Sequence, residues 1–121
     1  MQMNLDTAIF YTKNISDIAL FYQEIVGFKL ESQNGDYYVS FLFPNGARLG
    51  IKKADQAREL PGAQTIIVSV ESNIEDLYKQ IQSKNIPIYE ELTTQEWGKN
   101  FAILDPDKNK VEFYEKPQEV L

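Results

Sequence analysis

The chain carries one unit written twice, and that repeat restricts the folds open to it. Phe43-Pro44-Asn45-Gly46-Ala47-Arg48-Leu49-Gly50-Ile51 and Asp105-Pro106-Asp107-Lys108-Asn109-Lys110-Val111-Glu112-Phe113 align at a spacing of 62 residues, proline on proline and apolar strand position on apolar strand position. Each copy reads as a tight turn that feeds a strand. In this register Gly50 falls where Glu112 falls. One carboxylate therefore faces a gap in the other copy.

The segments before each turn repeat as well. Leu5 to Thr12 alternates with a period of two and predicts a strand. Asn14 or Ser16 can cap a helix whose apolar residues Ile18, Ala19, Phe21, Tyr22, Ile25 and Val26 recur at three- and four-residue spacing up to the stop at Gly27. Phe28 to Ser32, the Asn34-Gly35 turn and Tyr37 to Phe43 predict a hairpin, and Ala47 to Lys53 a fourth strand. Residues 54–63 are polar, broken by Pro61-Gly62, and read as a linker with room for a short helix. Gln64 to Val70 then predicts a strand, and Ser72 or Asn73 caps a helix from Ile74 to about Lys84. Strands follow from Ile86 through Leu92, from Lys99 to Leu104 and from Lys110 to Tyr114, with 93–98 less regular and the tail from Lys116 loose. The expected fold class is α+β: two βαβββ modules, at about 5–53 and 64–115, within a single domain of 121 residues.

Composition excludes several chemistries. There is no cysteine and no histidine, which removes disulfides, thiolate nucleophiles and the commonest neutral-pH base and metal ligand. The net charge of -6 argues against nucleic acid as a partner. No window approaches the roughly 18 apolar residues of a membrane span, and the first residues lack the pattern of a signal peptide. A cytoplasmic protein without a membrane partner is the expectation.

The stretches Leu5-Asp6-Thr7-Ala8-Ile9, Asp17-Ile18-Ala19-Leu20-Phe21-Tyr22, Val26-Gly27-Phe28, Trp97-Gly98 and Asp105-Pro106-Asp107 through Glu112 together resemble the vicinal oxygen chelate superfamily of glyoxalases, extradiol dioxygenases and bleomycin-resistance proteins. The resemblance covers nearly the whole chain. It implies two βαβββ modules pairing into a half-open barrel, and a homodimer. It also implies four strand positions for a metal, which correspond here to Thr7, Gly50, Thr65 (or Gln64 at a register one residue away) and Glu112. Only Glu112 among them is a competent ligand, since a first-row metal needs three or four imidazole, thiolate or carboxylate donors at about 2.0–2.3 Å. No metal and no other cofactor is therefore expected, and no catalytic residue is assigned.

Alternation places Thr7, Ile9, Tyr11, Arg48, Gly50, Lys52, Thr65, Ile67, Ser69, Lys110, Glu112 and Tyr114 on a ligand-facing surface. Ala8, Phe10, Leu49, Ile51, Ile66, Val68, Val70, Val111 and Phe113 should meet the helices. The candidate ligand-binding residues are Thr7, Ile9, Tyr11, Arg48, Gly50, Thr65, Trp97, Glu112 and Tyr114. Glu112 is either a ligand anchor or one half of an ion pair with Arg48 or Lys110. Trp97, the only tryptophan, either covers the cleft mouth or packs over the barrel end. Three functions stay open. The first is a non-metal protein that sequesters a small aromatic or cationic molecule, such as an antibiotic or an aromatic metabolite. The second is a metal-independent lyase, isomerase or other enzyme using Glu112 or a tyrosine. The third is a structural or regulatory domain with a vestigial cleft.

Overall fold

The computed structural model describes residues 1–118. The first module consists of β1 (Thr7–Thr12), α1 (Ile15–Leu20), which runs on directly as a π-helical turn (Phe21–Val26), β2 (Leu30–Asn34), β3 (Tyr38–Leu42) and β4 (Arg48–Lys53). The second consists of β5 (Thr65–Ser69), α2 (Ile74–Ser83), β6 (Ile88–Gln95), β7 (Gly98–Leu104) and β8 (Lys110–Glu115). Each module forms its own four-stranded sheet, in the order β1-β4-β3-β2 and β5-β8-β7-β6. In both, the first strand lies parallel to the last while the others run antiparallel. The βαβββ reading thus holds for both halves. Among the described residues, no helix is long and apolar enough to cross a membrane.

The described residues separate into two compact units, residues 1–64 with the turn 106–109, and residues 65–105 with 110–118. In the first unit α1 lies against β3 and β4. Ile15, Ile18 and Ala19 are buried there, as are Val39, Phe41, Leu49 and Ile51. An uninterrupted α-helix is the simplest expectation to Val26, but the ladder widens at Phe21. The N–H groups of Gly27 and Phe28 both donate to the Tyr22 carbonyl, at 3.0 and 2.8 Å, which is the i→i+5 pattern of a π turn and its continuation into the loop. Gly27 closes it in the left-handed region, at φ 92°. The reward is aromatic packing: the buried Tyr22 stacks on Phe28 with centroids 5.5 Å apart and meets Phe21 edge-on at 5.1 Å.

In the second unit α2 lies on β6, β7 and β8. Ile74 and Ile81 are buried, with Phe101, Ile103, Val111 and Phe113 on the strands. Phe101 stacks on Phe113 at 5.0 Å and receives the edge of Tyr78 at 5.0 Å. The start of α2 differs from expectation. Neither Ser72 nor Asn73 caps it: Asn73 adopts φ 61° and makes no side-chain cap hydrogen bond. Instead the Ile74 N–H donates to Glu115 Oε1 at 3.1 Å. A carboxylate at the end of β8 thus does what the local sequence does at α1, where Asn14 Oδ1 accepts from the Asp17 N–H at 3.2 Å.

The two proline turns each place a positive-φ residue at the same repeat position. Gly46 takes φ 90° and its counterpart Lys108 takes φ 67°. The linker forms no helix. Its buried Glu59 folds back so that Oε1 accepts from Lys52 Nζ at 2.7 Å and from the Asp55 and Gln56 N–H groups at 2.9 and 3.2 Å. Strand β6 extends through Gln95, longer than the alternation predicts, because irregularities between Ile88 and Glu90 and between Glu90 and Thr93 break the period of two.

Two outcomes follow from these contacts. Glu115→Ala, which strips α2 of its acceptor, should cost about 1–2 kcal/mol in urea unfolding. The Glu59 carboxyl is held down to about 2, chiefly by the Asp55 N–H and then by the Lys52 ammonium. A carboxylate whose folded pKa is depressed stabilises fully above its ordinary value of 4.5 and loses that contribution as pH falls toward about 2. Urea midpoints at neutral and acid pH should therefore fall less steeply for Glu59→Gln than for the wild type.

Candidate functional site

Burying Leu49 and Ile51 under α1 turns Arg48, Gly50 and Lys52 to the helix-free face of the first sheet. Parallel pairing sets Thr7, Ile9 and Tyr11 beside them, residue for residue. Strand β3 adds Ser40 opposite Gly50 and Tyr38 opposite Lys52. A bulge between Leu30 and Ser32 lets two residues of β2 reach Ser40, whose Oγ donates to Glu31 Oε1 at 3.0 Å and lies 2.9 Å from Ser32 Oγ. Arg48 Nε donates to both Glu31 oxygens, at 2.8 and 3.0 Å, and Nη1 lies 3.4 Å from Asp6 Oδ1. The hydrogen bonds from Arg48 and then Ser40 hold the Glu31 carboxyl below its usual value, and Glu31 in turn raises Arg48. The ion pair expected between Arg48 and Glu112 is thus replaced by one with Glu31 and Asp6.

Gly50 is the tightest point of this face. It is buried, and a Cβ there would lie 2.8 Å from Tyr38 Cζ and closer still to the phenolic oxygen. The tyrosine ring occupies the space that a side chain at position 50 would need. Burial, followed by the charge of Glu31, pushes the Tyr38 phenol up from its ordinary value.

On the helix-free face of the second sheet Thr65, Ile67 and Ser69 pair with Lys110, Glu112 and Tyr114. Glu112 Oε1 lies 3.5 Å from Lys110 Nζ, and the same ammonium contacts Glu90 more closely. The Lys110 amine is raised chiefly by Glu90. Of the two partners foreseen for Glu112, Lys110 is the one it meets. Beside it, Trp97 stacks on Tyr114 at 6.0 Å with 29° between the planes, and the Tyr114 hydroxyl donates to the Trp97 carbonyl at 2.6 Å. Gly98 makes this contact feasible. At φ 136° its missing Cβ would lie 2.6 Å from Tyr114 Cε1 and would overlap the Glu115 carbonyl. Trp97 packs on Tyr114 and yet remains 53% exposed, so part of the indole is open to the surroundings.

The structure therefore gathers Thr7, Ile9, Tyr11, Arg48 and Gly50 on one face of the first unit, and Thr65, Glu112, Tyr114 and Trp97 on one face of the second. Sequence reasoning passed over Glu31, Tyr38 and Ser40. Tyr38 and Ser40 alternate with the buried Val39 and Phe41, so the signal for their face was present. Their proximity to Gly50 required the register between β3 and β4.

A family model, the Glyoxalase/Bleomycin resistance protein/Dioxygenase superfamily, matches residues 4–113. The chain belongs to that superfamily. Solved structures of similar fold include a lactoylglutathione lyase from Agrobacterium tumefaciens, at 16% identity and TM-score 0.78 with 94% of each chain covered. They also include a virulence protein from Salmonella typhimurium, at 20% identity and TM-score 0.78 over 97% of this chain and 99% of that one. A glyoxalase/bleomycin resistance protein/dioxygenase from Nocardioides matches at 18% identity and TM-score 0.75, over 100% of this chain and 91% of that one. No match was found among curated proteins. At these identities the structural likeness establishes the fold and leaves the chemistry to the residues.

Those residues do not fit the divalent metal that the superfamily implies. Threonine occupies positions 7 and 65, Tyr38 fills the space beside Gly50, and Glu112 is paired with an ammonium. Among the described residues, no group of three or more Asp, Glu, His or Cys is placed to hold a metal ion.

Gly98→Ala should destabilise the superfamily member by about 1–3 kcal/mol through backbone strain alone, and the overlap with Tyr114 and Glu115 adds to that. Urea unfolding measures the loss, and the near-ultraviolet circular dichroism of Trp97 should weaken as its stack on Tyr114 is disturbed.

Proposed function

We propose that this chain is a small-molecule-binding protein of its superfamily that works without a metal, holding an aromatic compound such as an antibiotic or aromatic metabolite. The observation that carries the reading is the exposed Trp97 face, backed on one side by its stack on Tyr114, whose hydroxyl also ties down the Trp97 main-chain carbonyl. A large indole left open to solvent and backed by a second ring provides stacking area for an aromatic ligand. Glu112 and Lys110 lie on the same strand face as Tyr114 and supply polar groups for orientation.

A metal-independent enzyme is the alternative, and the carboxylates weigh against it. Glu31 is engaged by Arg48 and Ser40, and Glu90 and Glu112 share Lys110. A general base among them would first have to leave its cation. We also propose that the protein acts as a homodimer. The first strand of each sheet lies at its edge, where main-chain groups can pair with a second copy. Light scattering at high concentration checks this, and a strictly monomeric species counts against it.

Trp97 is its own reporter. Titration with a panel of aromatic antibiotics and phenolic metabolites should give saturable quenching of its fluorescence by at least one compound, with a matching rise in melting temperature. Trp97→Ala should abolish that rise. A panel that neither quenches nor stabilises would leave the structural-domain reading in its place.

A further inference from the structure

The helix-free face of the first sheet is rich in polar side chains, and nearly all of them are already engaged. Thr7 Oγ1 donates to Asp6 at 2.6 Å, Ser40 to Glu31, Arg48 to Glu31 and Asp6, and Lys52 to Glu59 and to Asp55 at 2.9 Å. Two phenols, Tyr11 and Tyr38, make no side-chain hydrogen bond among the described residues. They differ in placement. The tip of the Tyr38 ring lies over Gly50, in space that any other residue there would fill, whereas no such contact is seen for Tyr11.

We propose that the Tyr38 hydroxyl is a ligand-anchoring hydrogen-bond donor, seated in the Gly50 notch and offered to a carbonyl or phenolate oxygen of the bound molecule. The proposal rests on the small-molecule reading above and assigns that molecule an oxygen acceptor. Three features suit the role. The absence of a Cβ at Gly50 lets the hydroxyl sit close to the sheet without a competing protein hydrogen bond, so the O–H stays available. Burial and the nearby Glu31 charge keep the phenol protonated well into the alkaline range, so it remains a donor. Ile9, directly beside Gly50 and 41% exposed, offers an apolar surface against which the carbon frame of such a ligand can rest. Where a metal-binding relative would need a carboxylate at position 50, this chain puts a neutral donor.

The test is calorimetric titration of 4-nitrophenolate, at a pH where the probe is ionised, into the wild type, Tyr38→Phe, Gly50→Ala and the double variant. The wild type should bind, and Tyr38→Phe, which removes one oxygen, should bind roughly tenfold more weakly, the scale of one hydrogen bond to a charged acceptor. Gly50→Ala should weaken binding by a similar factor by displacing the ring, and the double variant should be no worse than Gly50→Ala alone. Melting curves check that each variant folds, and should Gly50→Ala fail to fold, Tyr38→Phe decides by itself. Equal binding by wild type and Tyr38→Phe overturns the proposal, as does a wild type that does not bind the probe. The Trp97 quenching screen reads the second sheet independently. Binding of 4-nitrophenolate that depends on Tyr38, without any Trp97 response, would uphold the Tyr38 anchor and refute the Trp97-centred reading; the reverse pattern would refute the anchor alone.

Discussion

In each module the first strand returns to lie parallel to the last, and that pairing sets the geometry of both candidate surfaces. Parallel strands cannot be joined by a tight hairpin, so the chain must cross over, and in each module the crossover includes a helix that covers one face of the sheet. Once α1 and α2 bury Leu49, Ile51, Val111 and Phe113, the pleat sends Gly50 and Glu112 to the uncovered faces. Ile9 then stands beside Gly50 and Ile67 beside Glu112. The chemistry of each surface is written at positions that the core leaves over.

The two surfaces solve the problem of unpaired charge in similar ways and end with different character. On the first, Arg48 and Ser40 converge on Glu31, while Lys52 is drawn toward the linker by Glu59. On the second, one lysine serves two carboxylates. Apart from Lys52 with the buried Glu59, these pairs are partly exposed and contribute little to stability, about 0–1 kcal/mol each. Their effect is on which groups remain free. The first surface keeps a phenolic hydroxyl, and the second keeps an indole face.

Much of the fold was legible because it depends on local periodicity. Phe10, Leu49, Ile51, Val111 and Phe113 announce a buried face by alternation alone, and the structure buries them. Where several residues cooperate across strands, the sequence is silent. Glu115 caps α2 from 41 residues away in the chain, and no local pattern signals that. The β6 irregularities hide the register that leads to the Trp97 hairpin. Gly50 reads as a missing ligand until Tyr38 is seen to fill its place, and only the β3–β4 pairing reveals the tyrosine. Glu112 was visible as an inward carboxylate on the final strand; its shared lysine depends on Glu90, which lies on β6.

The overlap at Gly50 also constrains any change of chemistry. A glutamate introduced at that position in a single step would meet the Tyr38 ring before it met a metal. The tip of the ring would have to rotate out of the notch to make room, so the phenol and a side chain at position 50 compete for one volume. Two positions on neighbouring strands are coupled by a single steric contact.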